Sequence, residues 1–102
     1  MEIAEQKNSK DLEKIKKIIV ITLRKYGIKK AGIFGSYVKG EQKKNSDIDI
    51  LIEAQKRFSL FDLIALEREL KEKLGIKVDL LTYNGIYHLL RDRILSQEVR
   101  II

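Results

Sequence analysis

Two short apolar segments, residues 30–34 and 47–52, are joined only by the polar stretch 35–46. Both read as strands. The second, DIDILI, puts Ile48, Ile50 and Ile52 on one face and Asp47 and Asp49 on the other. The connector is Lys-rich, interrupted by Gly40, and too short for the helical crossover that a parallel pair needs. It has room for one helical turn at most. The two strands are therefore expected to pair antiparallel. That pairing would set the Gly35-Ser36 step, which ends the first strand, against the acids that open the second.

The rest of the chain supplies cover for such a sheet. Residues 1–8 are expected to be a flexible N-terminal tail, followed by a single domain over residues 9–102. Ser9 is a candidate cap for a helix running to Tyr26, with Leu12, Ile15, Ile19, Leu23 and Tyr26 on one stripe and Gly27 at its end. Ser59 and Asp62 form a capping-box pattern with Asp in place of Glu. The helix it opens carries Leu63, Leu66, Leu70 and Leu74 and stops at Gly75. Residues 77–82 form a third strand. Asn84 is a candidate cap for a last helix through Ile86, Leu90 and Ile94, and residues 99–102 are a candidate final strand. Strands and helices intermix, so one small mixed sheet with helices packed on it, an α/β fold, is expected.

Composition excludes several classes of function. The 102 residues contain no cysteine and one histidine, which rules out thiolate sites and histidine-rich metal centres. No apolar run approaches the ~18 residues of a membrane span, and the polar start lacks the apolar core of a signal peptide. A cytoplasmic location is the expectation. The net charge of +6 favours polyanionic partners such as ATP or nucleic acid without choosing between them. No helix-turn-helix, zinc finger or aromatic RNA platform is visible, so direct nucleic-acid binding is not expected.

The chemistry lies in GS, ten residues, then DID. Glycine lets the backbone turn sharply and lets a phosphate approach. The amides around Ser36, with its hydroxyl, can donate to that phosphate. Asp47 and Asp49 point the same way and repel each other unless a cation lies between them. Oxygen-only ligands suit Mg²⁺ or Mn²⁺ rather than zinc. An isolated D-x-D is more often a pair of solvated aspartates at a strand edge. Asp79 interrupts the apolar strand of Val78, Leu80 and Leu81. It is either an exposed edge position, a lysine's ion-pair partner, or a third carboxylate. If the third strand lies beside the second, the three could hold two Mg²⁺ ions for in-line displacement at phosphorus. Asp79 would then help to deprotonate or orient an attacking hydroxyl.

At these residues the chain resembles the DNA polymerase β-type nucleotidyltransferase superfamily. It is most similar to the minimal nucleotidyltransferases, which include the MntA-like antitoxins paired with HEPN-domain toxins in type VII systems. Gly35, Ser36, Asp47 and Asp49 match the motif in identity and spacing, Asp79 matches the later carboxylate, and the likeness covers residues 10–102. The resemblance implies two Mg²⁺ ions held by Asp47, Asp49 and Asp79, with the ATP phosphates held by Gly35 and Ser36. It also implies transfer of AMP from ATP to a tyrosine of a HEPN toxin, an RNase, with release of pyrophosphate. Many relatives carry Arg where this chain has Lys39, which keeps the charge but loses the bidentate fork. Larger relatives carry a further domain for substrate; its absence here agrees with a protein acceptor supplied in trans. Two alternatives stand beside this one. The first is a non-catalytic antitoxin acting by stoichiometric contact. The second is a nucleotidyltransferase acting on RNA ends or a small molecule.

Other features carry less. Lys43 and Lys44 read as a solvated loop, Arg91 and Arg93 as exposed helix charges, and His88 as structural. Tyr37 reads as packing on the signature loop, and the leucine stripe of residues 63–74 as core.

Overall fold

The computed structural model describes residues 2–40 and 47–102; for residues 2–11 and for Ser36 and Lys39 it describes the backbone alone. The elements run α1 (Glu2–Lys25), β1 (Ala31–Phe34), α2 (Ser36–Lys39), β2 (Ile48–Ile52), α3 (Leu60–Leu74), β3 (Val78–Thr82), a 3-10 turn (Tyr83–Gly85), α4 (Arg91–Gln97) and β4 (Val99–Arg100). They build one four-stranded sheet in the order β3-β2-β1-β4.

β1 and β2 pair antiparallel, with Phe34 opposite Asp49 and Ile33 opposite Ile50. The short connector demanded this, and its one helical turn is α2. β2 and β3 are parallel, and α3 supplies the crossover between them. Ile48, Ile50 and Ile52 point to one face. There they meet Ile19 and Leu23 of α1, Leu66 and Leu70 of α3, and Val78 and Leu80 of β3. The opposite face carries a smaller cluster of Phe34, Leu51, Tyr83 and Ile86, packed by Ile94 and Leu95 of α4. The sheet thus lies between an α1/α3 layer and a thinner layer built by the 3-10 turn and α4.

α3 is capped as its sequence required. Ser59 Oγ accepts from the Asp62 amide at 3.1 Å, Asp62 Oδ2 accepts from the Ser59 amide at 2.8 Å, and Gly75 ends the helix in the left-handed region at φ 66°. Two expectations need correction. α1 begins at Glu2, so residues 2–8 are helical and Ser9 lies inside the helix instead of capping it. That stretch, EIAEQKN, contains no Gly or Pro and is rich in good helix formers. The expected last helix is broken. Thr82, not Asn84, caps the 3-10 turn by accepting from the Gly85 amide at 3.0 Å, Ile86 is extended, and α4 starts only at Arg91. Asn84-Gly85 is a weak helix start. Burial of Ile86 beside Phe34 draws the chain onto the sheet at that point.

Behind the sheet, Glu69 of α3 ties the two long helices together. It accepts from Lys25 at 2.6 Å and Tyr26 Oη at 2.9 Å, both on the α1 side, and pairs with Lys73 at 2.8 Å. The hydrogen bonds from Lys25, Lys73 and Tyr26 hold its carboxyl down at about 2.

Candidate functional site

Asp49 is the second residue of β2, and Asp79 is the second residue of β3. The parallel register pairs them directly. Register partners in neighbouring strands point to the same face, with backbones ~4.8 Å apart. Asp47 precedes β2 and shares the orientation of Asp49 by alternation. All three carboxylates therefore belong to the face turned away from α1 and α3. Asp47 and Asp79 are exposed, whereas Asp49 is partly buried.

Burial makes Asp49 the unusual member. Loss of solvent, then the charges of Asp79 and Asp47, push its carboxyl up to about 6. Among the described residues, nothing hydrogen-bonds or ion-pairs with it. Three carboxylates on one face, one of them half-buried without a countercharge among the described residues, form a donor set of oxygens that suits Mg²⁺ or Mn²⁺. Among the described residues no three acidic or imidazole groups are already drawn into a single ligand shell. The carboxylates stand at strand spacing, and a cation would have to draw them inward.

Gly35 ends β1 beside this pair. Its φ is +82°, a left-handed conformation that a side chain strains. A Cβ there would collide with Asp49 Oδ2 and lie 3.2 Å from Asp49 Cγ. Glycine is needed twice over: the backbone must reverse, and it must pass directly against the carboxylate. α2 begins at the next residue, and the Val38 amide donates to the Gly35 carbonyl at 3.2 Å. The sequence placed a turn next to the acids; the structure places it in contact with one of them. The side chains of Ser36 and Lys39, and the loop with Lys43 and Lys44, lie outside the described residues. Tyr37 is half-buried against the main core, so it packs inward; burial and the nearby Asp47 push its phenol up.

One polar cluster on this face escaped the sequence reading. Tyr83 Oη donates to Glu98, whose side chain fills the space where Gly32 has no Cβ. Lys30 Nζ lies 4.6 Å from the centre of the Tyr83 ring, and Arg91 donates to the Tyr83 carbonyl at 2.8 Å. Burial and the Glu98 bond push the Tyr83 phenol up. With Glu53, these groups line a cavity of about 570 Å³ at the far end of β2 from Asp49. A glycine inside a strand was the available signal, because it marks the close approach of another group. His88 is exposed and stacks edge-on with Tyr87.

A mixed sheet with carboxylates on its outer face, and a glycine turn seated against one of them, is the frame of a nucleotidyltransferase. Comparison of sequences agrees: the nucleotidyltransferase domain profile matches residues 10–101, and the chain belongs to that family. It is 51% identical over 92 residues to a Methanocaldococcus jannaschii chain provisionally named protein adenylyltransferase MJ0435, covering 90% of this chain and 99% of that one. It is 42% identical over 62 residues to protein adenylyltransferase MntA of Thermococcus cleftensis, covering 61% and 63% of the two chains. A crystal structure of a toxin–antitoxin with AMP-PNP superposes with a TM-score of 0.76 at 27% identity, over 85% of this chain and 72% of that one. The enzyme class expected from the GS and DID motifs is therefore right. Among the described residues no helix is long and apolar enough to cross a membrane.

Proposed function

We propose that this chain is a cytoplasmic, Mg²⁺-dependent protein adenylyltransferase. In this reading it is the antitoxin of a type VII pair and transfers AMP from ATP to a tyrosine of a HEPN-domain toxin. The observation that carries the reading is the pairing of Asp49 with Asp79 beneath Gly35. It occurs in a chain aligned over almost its whole length with a relative named for protein adenylylation.

Asp47, Asp49 and Asp79 would hold the Mg²⁺, which when bound neutralises phosphate charge and activates the attacking oxygen. The backbone amides at Gly35 and Ser36, where α2 begins, would donate to the terminal phosphates of ATP, with Lys39 adding a positive charge. Asp79, the more exposed of the register pair, is open to an incoming hydroxyl and would orient it and accept its proton. The tyrosine oxygen bonds to the α-phosphorus, the bond from that phosphorus to the bridging oxygen breaks, and pyrophosphate leaves with its electron pair.

The test is intact-mass analysis of a co-expressed HEPN-domain partner incubated with the protein, ATP and Mg²⁺. An added AMP on a partner tyrosine, abolished by Asp47→Asn/Asp49→Asn, supports the reading. Neutralisation of the partner without an adduct sinks it in favour of stoichiometric binding. AMP appearing on RNA ends instead moves the acceptor to another class.

A further inference from the structure

A protein acceptor must reach the carboxylates, so the surface beside them is where it meets this domain. Among the described residues, and apart from Val99 on the edge strand β4, the exposed large hydrophobic residues divide between the two layers of the fold. Leu60, Phe61 and Ile64 are on α3 and Ile21 is on α1, behind the sheet. On the carboxylate side, Tyr87, Leu89 and Leu90 are 57%, 72% and 46% exposed, all within the turn between the 3-10 segment and α4. An apolar group concentrated in one tight turn is the kind of patch that marks an interaction site. The turn is anchored through Ile86, which is buried in one cluster with Phe34, and Phe34 is the cross-strand partner of Asp49. The turn's anchor therefore shares a sheet face with the carboxylates. Backbone bonds stiffen the turn: the Leu90 amide donates to the Tyr87 carbonyl at 2.9 Å, and the Ile94 amide to the Leu90 carbonyl at 2.9 Å. Arg91 follows, turned back to the Tyr83 carbonyl, and then the exposed Asp92 and Arg93.

We infer that the turn of residues 87–90 is the docking wall for the protein acceptor. Tyr87, Leu89 and Leu90 would seat apolar side chains of the acceptor, while Arg93 and the net positive charge of the chain favour an acidic flank. The occupant is a protein segment rather than the nucleotide. The patch is aliphatic with an aromatic edge and sits past the cluster that walls off the carboxylates, whereas the ATP phosphates belong on the Gly35 side. A second copy of this chain is a poor occupant, because two chains of net charge +6 repel each other.

This inference rests on the acceptor being a protein, so the wild-type enzyme is assayed first. Initial rates of AMP transfer are measured against the concentration of the HEPN-domain partner and, separately, of ATP. Leu89→Asp and Tyr87→Ala are compared with Phe61→Asp, a control on the other layer. The expected result is a roughly tenfold or larger rise in KM for the protein with both turn variants. Their KM for ATP and kcat should stay within about twofold of wild type, and Phe61→Asp should change neither KM. Wild-type KM for the protein in both turn variants overturns the inference while leaving the proposed activity standing. So does an equal rise with Phe61→Asp, or a rise confined to ATP. Absence of transfer by the wild-type enzyme overturns the activity, and this inference with it.

Discussion

Replacing Asp49 with Asn should make the metal-free protein more stable while abolishing its activity. Asp49 titrates near 6 in the folded chain against an ordinary 3.8, because burial and two neighbouring carboxylates oppose its charge. A shift of roughly two units corresponds to about 3 kcal/mol. Solvent reaches part of the group and screens it, so about 1–2 kcal/mol is the realistic size. The direction follows from linkage. Below about pH 4 both states hold the proton and there is no penalty. Between about pH 4 and 6 the unfolded chain releases its proton first, so the folded state loses stability as pH rises. Above about pH 6 the full penalty applies. Asn is neutral and of similar size, and among the described residues no hydrogen bond to Asp49 is lost. Scanning calorimetry in EDTA at pH 7.5 should show Tm higher by about 5–10 °C in the variant. At pH 4.5 that gain should shrink to about a third. Mg²⁺ should raise the Tm of the wild type at pH 7.5 and leave the variant unmoved. Equal melting temperatures at pH 7.5, or a gain of undiminished size at pH 4.5, would refute the account of Asp49 as a buried charge awaiting a cation.

Gly35→Ala should cost about 1–3 kcal/mol through its positive φ and displace the Asp49 carboxylate, so chemical denaturation and AMP-transfer rate should fall together. Glu69 should behave oppositely to Asp49. Its folded value near 2 lies below the ordinary 4.5, so its stabilisation is complete above about pH 4.5 and is lost as pH falls toward 2. Glu69→Gln should therefore lower Tm at pH 7 and converge with the wild type in acid, as read by circular dichroism. Ser59→Ala removes half of the capping box on α3 and should cost about 0.5–2 kcal/mol in urea unfolding. That end of α3 lies across the sheet from the carboxylates, so kcat should not change.

The two halves of the site differ in how legible they are. The alternation in DIDILI sets which side chains share a face, and the short connector sets the direction of β1 against β2. Both depend only on local geometry and chain length, so the strands at 30–34 and 47–52 and their pairing are legible from spacing alone. The cap and stop of α3 were equally local, being a Ser59–Asp62 pair and a glycine. The last helix was misread because the winning interaction is not local: Ile86 gains more by joining Phe34, Leu51 and Tyr83 than by continuing a helix from Asn84-Gly85. Glu98 in the space above Gly32 is of the same kind.

The sequence by itself determined a reaction class: a glycine turn, two acids on one strand face, and a third acid on a later strand. Only the tertiary structure decided that Asp79 stands opposite Asp49, thirty residues away in the chain. That register is set by α3, whose Leu66 and Leu70 must cover Ile48, Ile50, Val78 and Leu80 together, so the two strands can slide only at the expense of the shared core. The fold likewise decided that Gly35 lies against the Asp49 carboxylate. A turn's conformation is encoded locally, but the group it touches is chosen by the strand that pairs beside it.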